Sequence, residues 1–274
     1  MEIFYLNNKG QKLYLDREPY YLLDSSDIVD YEWNYSVNEN TSRVYGFIRG
    51  VRNRKLTIAV VSRSKEDHKE DLNSIVKHFE FDIDSASPGK LYINNYYIPC
   101  YVHKSSKDAR YINVKRSVVN FEIVKAGGWI KEKIVRFRWQ DQTPDVSGRG
   151  YPYGYDYDYR ASIGYESVLE NDVISDMEFT LTIYGYADHP EIDIGGNVYR
   201  LNYTIQAGEY VIIDSAKRTI RLVKTNGVVV NLFRYRESNM IFEKIQTGTQ
   251  QVYWNGSFDF DLLLYEERSE PAWT

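Results

Sequence analysis

Apolar and polar residues alternate with a period of two along much of this 274-residue chain, and this pattern limits its possible folds more than any other feature. The alternation recurs in residues 119–123, 179–183, 199–205 and 258–264. Because successive side chains of a strand point to opposite faces, each segment predicts a strand with one buried and one wet face. The sequence therefore predicts a mainly β protein.

Two Asn-Gly dipeptides stand between strand-like segments. One, at positions 226–227, separates residues 219–224 from 228–233, and the other, at positions 255–256, precedes the alternating segment 258–264. Asn-Gly supplies the positive φ angles that a type I′ turn requires. The sequence predicts a β-hairpin at each dipeptide.

One segment has the period of an amphipathic helix. Four apolar residues fall at i, i+3, i+4 and i+7, namely Leu72, Ile75, Val76 and Phe79. Ser64, with Asp67 three residues later, resembles the capping box of a helix start. The pattern predicts a single helix over residues 65–79, within an otherwise all-β fold, with its apolar stripe packed on a sheet.

The formal net charge is −5, from 34 basic and 39 acidic residues. A chain of this balance lacks the basic field that sequence-independent nucleic-acid binding needs, which argues against a DNA-binding protein. The charge is also uneven, since residues 1–130 carry +2 and residues 131–274 carry −7. Together with the Gly-Gly-Trp segment at 127–129, this asymmetry predicts two domains, 1–130 and 131–274.

Cys100 is the single cysteine, so no intrachain disulfide can form and nothing indicates maturation in an oxidising compartment. No apolar run approaches the roughly 18 residues of a membrane helix, and the first residues lack the pattern of a secretion signal. We expect a soluble protein without a membrane partner.

Familiar enzyme motifs do not occur in the sequence, among them G-x-S-x-G, the P-loop, G-x-G-x-x-G, H-E-x-x-H and C-x-x-C. Cys100 and His103 would lie on opposite faces of a strand, which favours a small buried hydrophobe over a catalytic thiol. His68 and His78 share the predicted helix but have no third ligand, which favours solvated side chains over zinc. We expect no catalytic residue, no metal and no cofactor.

Paired carboxylates are frequent, and nothing singles out a catalytic pair. Asp259 and Asp261 alternate with apolar residues, which favours the wet face of a sheet over a glycosidase. Asp156 and Asp158 are oxygen ligands of the kind that calcium takes, but their segment lacks the spacing of an EF-hand loop.

Residues 140–162 interrupt the alternation and predict a long loop, because Pro152 and Gly154 oppose a strand. The loop holds five alternating tyrosines, Tyr151, Tyr153, Tyr155, Tyr157 and Tyr159. Tyrosine gives rigid amphipathic area at low entropic cost. The run fits a protein-contact surface or a loop packed on its own sheet equally well, and a sugar platform less well.

A second candidate surface is the basic segment between residues 43 and 63. Its basic residues are Arg43, Arg49, Arg52, Arg54, Lys55 and Arg63. One interpretation is a solvated strand and turn. The other is a subunit interface, where Arg43, Arg49, Arg52 and Arg54 meet a neighbour's carboxylates such as Asp24, Asp27 and Asp30.

The order of elements towards residue 274 carries a family resemblance. The matching elements are a strand ending in Ile183-Tyr184-Gly185, residues 190–194 leading into Gly195-Gly196, the Ala207-Gly208-Glu209 turn before residues 211–214, the segment 245–254, and the basic, proline-bearing residues 268–273. With this order, residues 165–274 resemble the distal tail protein (Dit) family, also called the siphovirus tail component family, of long-tailed phages of Gram-positive bacteria. Residues 1–130 resemble it more loosely, through PGKLYINNYYIPCYV and a single helix.

This resemblance implies a structural protein of the phage tail tip or baseplate, located in the virion after synthesis in the host cytoplasm. It implies an N-terminal β domain that forms a homohexameric ring and a C-terminal galectin-like β-sandwich. Such a ring joins the tail tube protein to the tail-tip hub, passes genome DNA without specific binding, and can dock receptor-binding proteins. An inserted carbohydrate-binding module needs on the order of a hundred residues, for which residues 140–162 leave no room.

Two other classes remain open from the residues alone. A galectin-like carbohydrate-binding protein for host cell-wall adhesion would use Trp254, Asn231 and Arg234, although no histidine lies in residues 195–274. A cell-wall hydrolase would need two carboxylates committed to one cleft, which the sequence does not isolate.

Overall fold

The computed structural model describes residues 1–106, 111–113, 115–125, 127–138, 165–173 and 175–272. These residues form a mainly β protein with one α-helix, which confirms the predicted fold class. In this part of the chain, no helix is both long and apolar enough to cross a lipid bilayer.

The chain divides into two compact units. The first unit contains residues 1–131 and 267–274, and the second contains residues 132–266. The predicted domains 1–130 and 131–274 stay a prediction about independent folding, which a fragment can test.

The first unit is an antiparallel sheet with one helix and a separate hairpin. Its elements, including a strand that continues into the second unit, are β1 (Ile3–Leu6), β2 (Lys12–Tyr14), β3 (Asp16–Arg17), β4 (Tyr20–Leu22), β5 (Asn34–Asn38), β6 (Arg43–Ile48), β7 (Arg52–Val61), α1 (Lys65–Asp84), β8 (Gly89–Ile93), β9 (Tyr96–Ser106), β10 (Tyr111–Asn113), β11 (Arg116–Lys125) and β12 (Trp129–Phe137). Neighbouring strands of the sheet follow the order β2-β1-β8-β9-β11-β7-β4-β3. Strands β5 and β6 pair only with each other.

Helix α1 covers the apolar face of this sheet. Ile75 and Phe79 are buried, and Leu72 and Val76 pack against the same core, so the predicted stripe is confirmed. The Phe79 ring contacts the ring of Phe121 at 5.1 Å between centroids, which ties the helix to β11. At the start of α1, the Ser64 hydroxyl accepts the backbone N–H of Asp67 at 3.0 Å, as the capping signal predicts.

The helix runs five residues beyond the predicted end at residue 79, because tertiary hydrogen bonds hold its last turn. Asp82 is fully buried, and its carboxylate accepts the Tyr5 hydroxyl at 2.8 Å and the backbone N–H of Asn8 at 2.8 Å. A buried carboxylate needs such donors to offset the loss of water. The residue that turns inward in this last turn is the charged Asp82, whereas the apolar Ile83, four residues after Phe79, is 43% exposed.

The second unit is a β-sandwich. Its strands are β13 (Tyr165–Asn171), β14 (Glu178–Tyr184), β15 (Glu191–Ile194), β16 (Asn197–Arg200), β17 (Tyr210–Asp214), β18 (Thr219–Val223), β19 (Val229–Asn231), β20 (Gly248–Trp254) and β21 (Phe260–Arg268), the last of which ends in the first unit. One sheet has the order β19-β18-β17-β14-β21, and the other has the order β13-β20-β15-β16.

A single apolar core lies between these two sheets. The first sheet contributes five side chains that the alternation predicts as core, Phe179, Leu181, Ile183, Leu262 and Leu264. The second sheet contributes Ile192, Ile194 and Val252 to the same core. Each sheet therefore serves as the cover of the other, and the predicted core residues are confirmed.

Only one of the two predicted hairpins forms. Strands β18 and β19 pair around positions 226–227, with Val223 opposite Val229, so the loop is longer than a type I′ turn and only Gly227 has a positive φ. The hairpin predicted at positions 255–256 is wrong. Strand β20 lies between β13 and β15 in one sheet, while β21 belongs to the other. Asn-Gly marks a reversal of the chain, and it does not decide which strand becomes the neighbour.

Replacement of Phe79 by alanine tests the helix contact. Phe79→Ala removes a ring that is 2% exposed, and we expect a loss of about 3 to 5 kcal/mol in the free energy of unfolding. Ile83→Ala is the matched control on the same helix, since Ile83 is 43% exposed, and its loss should stay below about 1 kcal/mol. Denaturant unfolding measures both, and equal losses would contradict the assignment of the stripe.

A fragment of residues 131–274 tests the second unit. We expect cooperative melting and a β-type circular dichroism spectrum, because the sandwich core comes from residues 137–264 alone. A second fragment that ends at residue 266 should melt within a few degrees of the first, since residues 267–274 belong to the first unit. A fragment without a cooperative transition would contradict independent folding.

Candidate interaction surface

Strands β5 and β6 form a hairpin with a stripe of large apolar side chains. Tyr35 lies opposite Phe47, and Val37 lies opposite Val44. Tyr35 and Phe47 are 65% and 64% exposed, and Tyr45, which has no residue opposite it, is 73% exposed. None of the residues from 34 to 48 is buried.

This hairpin pairs with no other strand in the described part of the chain. A lone two-stranded hairpin is only marginally stable in water, and here it also holds aromatic rings in solvent. Exposed apolar patches of this kind mark contact surfaces for other molecules. The hairpin is therefore the main candidate interaction surface.

Arginines lie at the base of the hairpin, where β5 begins and β6 has ended. Arg49 Nη1 lies 2.7 Å from Glu267 Oε1, and the guanidinium stacks 4.6 Å from the centroid of the Trp33 ring. Arg52 donates to the Asn34 side-chain oxygen and lies 3.6 Å from Glu32. Both guanidinium groups are thereby paired within the first unit.

Arg54 and Lys125 line the same cleft as Arg49 and Arg52. Lys125 is 5% exposed, and its Nζ lies 3.4 Å from the carbonyl oxygen of Ile28 and 3.3 Å from that of Asp30. Burial lowers the pKa of Lys125, and the nearby Arg54 charge lowers it further. The cleft therefore concentrates positive charge in a partly desolvated place.

The predicted set of arginines is divided by the fold. Arg49, Arg52 and Arg54 come together at the base, whereas Arg43 lies at the other end of the hairpin, opposite Asn38. The predicted partner Asp27 already has a hydrogen bond in its own chain, because its side chain accepts the backbone N–H of Lys55. An interface role for the arginines stays a prediction, and so does that of Tyr151, Tyr153, Tyr155, Tyr157 and Tyr159, which lie outside the described residues.

Comparison with solved structures gives matches over almost the whole chain. A chain of the phage P2 baseplate in its activated conformation with calcium has a TM-score of 0.64 at 12% identity, over 98% of this chain and 99% of that chain. The same baseplate with strontium gives a TM-score of 0.61 at 12% identity, over 98% of this chain and 99% of that one. The Dit protein of phage SPP1, described as a paradigm of the hub adsorption apparatus in phages that infect Gram-positive bacteria, gives 0.60 at 7% identity, over 97% and 98%.

The chain has the Dit fold. Both units take part in the likeness, since nearly all residues of each chain are covered. No protein-family model and no curated protein matches the sequence. The likeness is one of fold, with TM-scores of 0.64 and 0.60, and it is not apparent from the sequence identities of 12% and 7%.

The cysteine and histidine of β9 lie apart in this Dit fold. Cys100 is buried in the core of the first unit, whereas the His103 ring is at the surface, 4.0 Å from Glu122. Burial raises the pKa of the Cys100 thiol to about 12. The prediction of a small buried side chain is confirmed.

The histidines of α1 differ from the prediction. His68 is buried, and its Nδ1 and Nε2 atoms lie 3.2 Å from Ser62 Oγ and 2.7 Å from Ser117 Oγ. The predicted solvated side chain is therefore wrong for His68, which links the helix to β11. His78 is half-buried, and burial lowers its pKa. Within the described ranges, no group of three possible ligands is placed to hold a metal ion.

The remaining candidate residues serve the sandwich itself. Asp261 binds Arg138 at 2.7 Å and accepts the Tyr184 hydroxyl at 3.0 Å, on the partly wet face that the alternation predicts. Trp254 is buried, and its ring packs against Phe137 and Phe260. Because Asn231 lies in the other sheet from Trp254, the proposed sugar-facing cluster does not form. Asp156 and Asp158 fall outside the described residues.

The sequence analysis missed two features of this surface. One is the apolar stripe of the hairpin, and the other is the position of Lys125 in the cleft. The stripe has a partial signal, since residues 34–38 alternate polar and apolar side chains, whereas residues 44–48 do not. Lys125 has none, because it joins the arginines only through pairing of β11 with β7, which sets Lys125 opposite Arg52.

Thiol labelling tests the burial of Cys100. With a pKa of about 12, only about one thiol in 10,000 is ionised at pH 8. We expect a disulfide reagent to label the native protein at least about 100-fold more slowly than the urea-unfolded protein. Labelling of the native protein at the unfolded rate would restore Cys100 as a candidate nucleophile.

Proposed function

We propose that this protein is a structural subunit of a phage tail tip or baseplate, a distal tail ring that joins the tail tube to the tail-tip hub. The full-length likeness to a P2 baseplate chain and to SPP1 Dit supports this proposal, because it covers both units in one arrangement of the chain. The protein acts as a scaffold rather than as an enzyme, and its location is the virion after synthesis in the host cytoplasm.

The observation that carries the proposal is the uncovered hairpin of the first unit. A second copy of the chain is the partner that covers it. Contact of one subunit's hairpin with a different surface of its neighbour is heterologous, and heterologous contacts close into rings. A homohexamer built in this way uses the first unit for assembly, and genome DNA passes through the lumen without specific binding.

The second unit then remains available for other tail proteins. Residues 131–274 carry −7, so this galectin-like sandwich offers an acidic surface to partners such as hub or receptor-binding proteins. The alternative of a carbohydrate-binding protein has less support, because Trp254 is part of the sandwich core.

The native mass tests the ring directly. Light scattering of the purified full-length chain should give about 194 kDa, six times the 32.3 kDa of one chain. A mass that stays at 32.3 kDa at high micromolar concentration would contradict the proposal. Binding on a glycan array by such a monomer would favour the carbohydrate-binding alternative.

A double substitution tests the hairpin. Tyr45→Ser with Phe47→Ser should shift the native mass to that of the monomer, because both exposed rings are lost from the contact surface. The circular dichroism spectrum should change little, since neither side chain is part of a core. The matched control is Val168→Ser in β13, which is 50% exposed and should leave the ring intact. Equal masses for the two variants would exclude the hairpin as the assembly surface.

A further inference from the structure

The cations at the base of the hairpin are not all paired. Arg49 and Arg52 have Glu267 and Glu32 as partners. The Arg54 side chain has no hydrogen bond and no ion pair within the described ranges, and Lys125 Nζ binds only carbonyl oxygens. Two carboxylates, Asp27 and more weakly Asp30, favour the charged form of Lys125 electrostatically.

The donors of this cleft are also incompletely used. The Nε atoms of Arg49, Arg52 and Arg54 are buried and have no hydrogen-bond partner. A buried donor without an acceptor is unfavourable, because it has lost its hydrogen bonds to water. These donors and the charges of Arg54 and Lys125 favour an anionic acceptor in the cleft.

We propose that this cleft, with Arg54 and Lys125 as its main cations, binds the carboxylate of Glu39 from a second copy of the chain. The inference rests on the proposed ring and names the polar contact that sets its register.

Glu39 has the required position and freedom. It is the only acidic residue of the hairpin from residue 34 to residue 48, and it lies exposed in the turn between β5 and β6. No ion pair of Glu39 occurs within the described ranges. The five residues of β5 span about 17 Å, and β5 begins at Asn34, beside Arg52. Glu39 is therefore too far from the cleft of its own chain, and only a neighbour's Glu39 can enter it.

The size and charge of the cleft favour a carboxylate over a larger anion. Its free volume is about 20 Å³, little more than one water needs, so a single carboxylate oxygen can enter and a nucleotide cannot. A planar guanidinium also matches a carboxylate with two parallel hydrogen bonds. In this contact the apolar stripe beside Glu39 contributes buried apolar area, and the Glu39 carboxylate determines the register of the hairpin on the neighbouring copy.

Charge exchange between two chains tests this contact. Glu39→Arg alone places arginine against Arg54, and Arg54→Glu alone places glutamate against Glu39. Each variant should weaken ring formation at least about tenfold in apparent dissociation constant. In an equal mixture both kinds of junction again join one arginine to one glutamate, so the mixed sample should recover the wild-type mass.

The matched control mixes Glu39→Arg with Arg63→Glu. Arg63 has a side chain that is 89% exposed and lies outside the cleft, so Arg63→Glu should form rings by itself. Each Glu39→Arg chain still places one arginine against an Arg54 in any ring that it enters, so in this mixture the Glu39→Arg chains should remain unassembled. Thermal melting of each variant verifies that it is folded. Rings formed by both single variants at the wild-type concentration would overturn the inference, and so would failure of the first mixture to recover. If the charge exchange fails but the wild type is a ring and the Tyr45→Ser, Phe47→Ser variant is a monomer, the proposed ring stands and only the Glu39 contact is wrong. A monomeric wild type would contradict both the ring and the contact.

Discussion

A strand with one apolar face is stable only when another element covers that face, and this requirement organises the whole protein. In the second unit each sheet covers the other. In the first unit one helix covers the sheet through Phe79 and its neighbours. The hairpin of β5 and β6 has the same kind of apolar face and no cover in the described chain. Among the described residues, this hairpin leaves the rule unsatisfied, and the proposed assembly satisfies it.

Electrostatics adds direction to this apolar contact. An apolar stripe alone can slide along its partner, because burial of area has no preferred orientation. A buried charge has a strong preference, since its desolvation must be offset by a group at one particular place. In the cleft at Arg54 and Lys125, the carboxylates of Glu267 and Glu32 already pair with Arg49 and Arg52. The charge of Arg54 is therefore left without an ion pair in the described chain. In the proposed ring, buried area determines how tightly copies associate, and charge determines how they are arranged.

The sequence predicts much of the fold where a local pattern and a tertiary contact agree. The alternation at residues 179–183 and the stripe of α1 report directly on buried faces, and both are confirmed. The predictions that fail depend on partners distant in sequence. The chain turns at Asn255 and Gly256, but β21 then pairs with β14 in the other sheet and not with β20. His68 is polar on a helix surface, yet Ser117 from β11 makes a buried place for it.

The candidate site shows the same limit. Three of the four arginines do come together, because they follow one another closely along the chain. Lys125 cannot be placed with them without the register of β11 on β7. The sequence indicates that the hairpin has apolar residues. It does not predict that they are exposed, because exposure depends on which other elements pack against the hairpin.

The return of residues 267–274 to the first unit has a consequence for the order in which the protein is made. Glu267 accepts the backbone N–H of Gly128 at 2.6 Å and pairs with Arg49, so the edge of the cleft contains a residue synthesised 139 positions after Gly128. At ribosomal speed this interval lasts roughly 7 to 28 seconds. Throughout that time Arg49 lacks its carboxylate, and the cleft is unfinished on the nascent chain. In the proposed ring, this cleft is the surface that meets a second copy. It is completed only after the sandwich has been synthesised, so translation would delay association until both units exist.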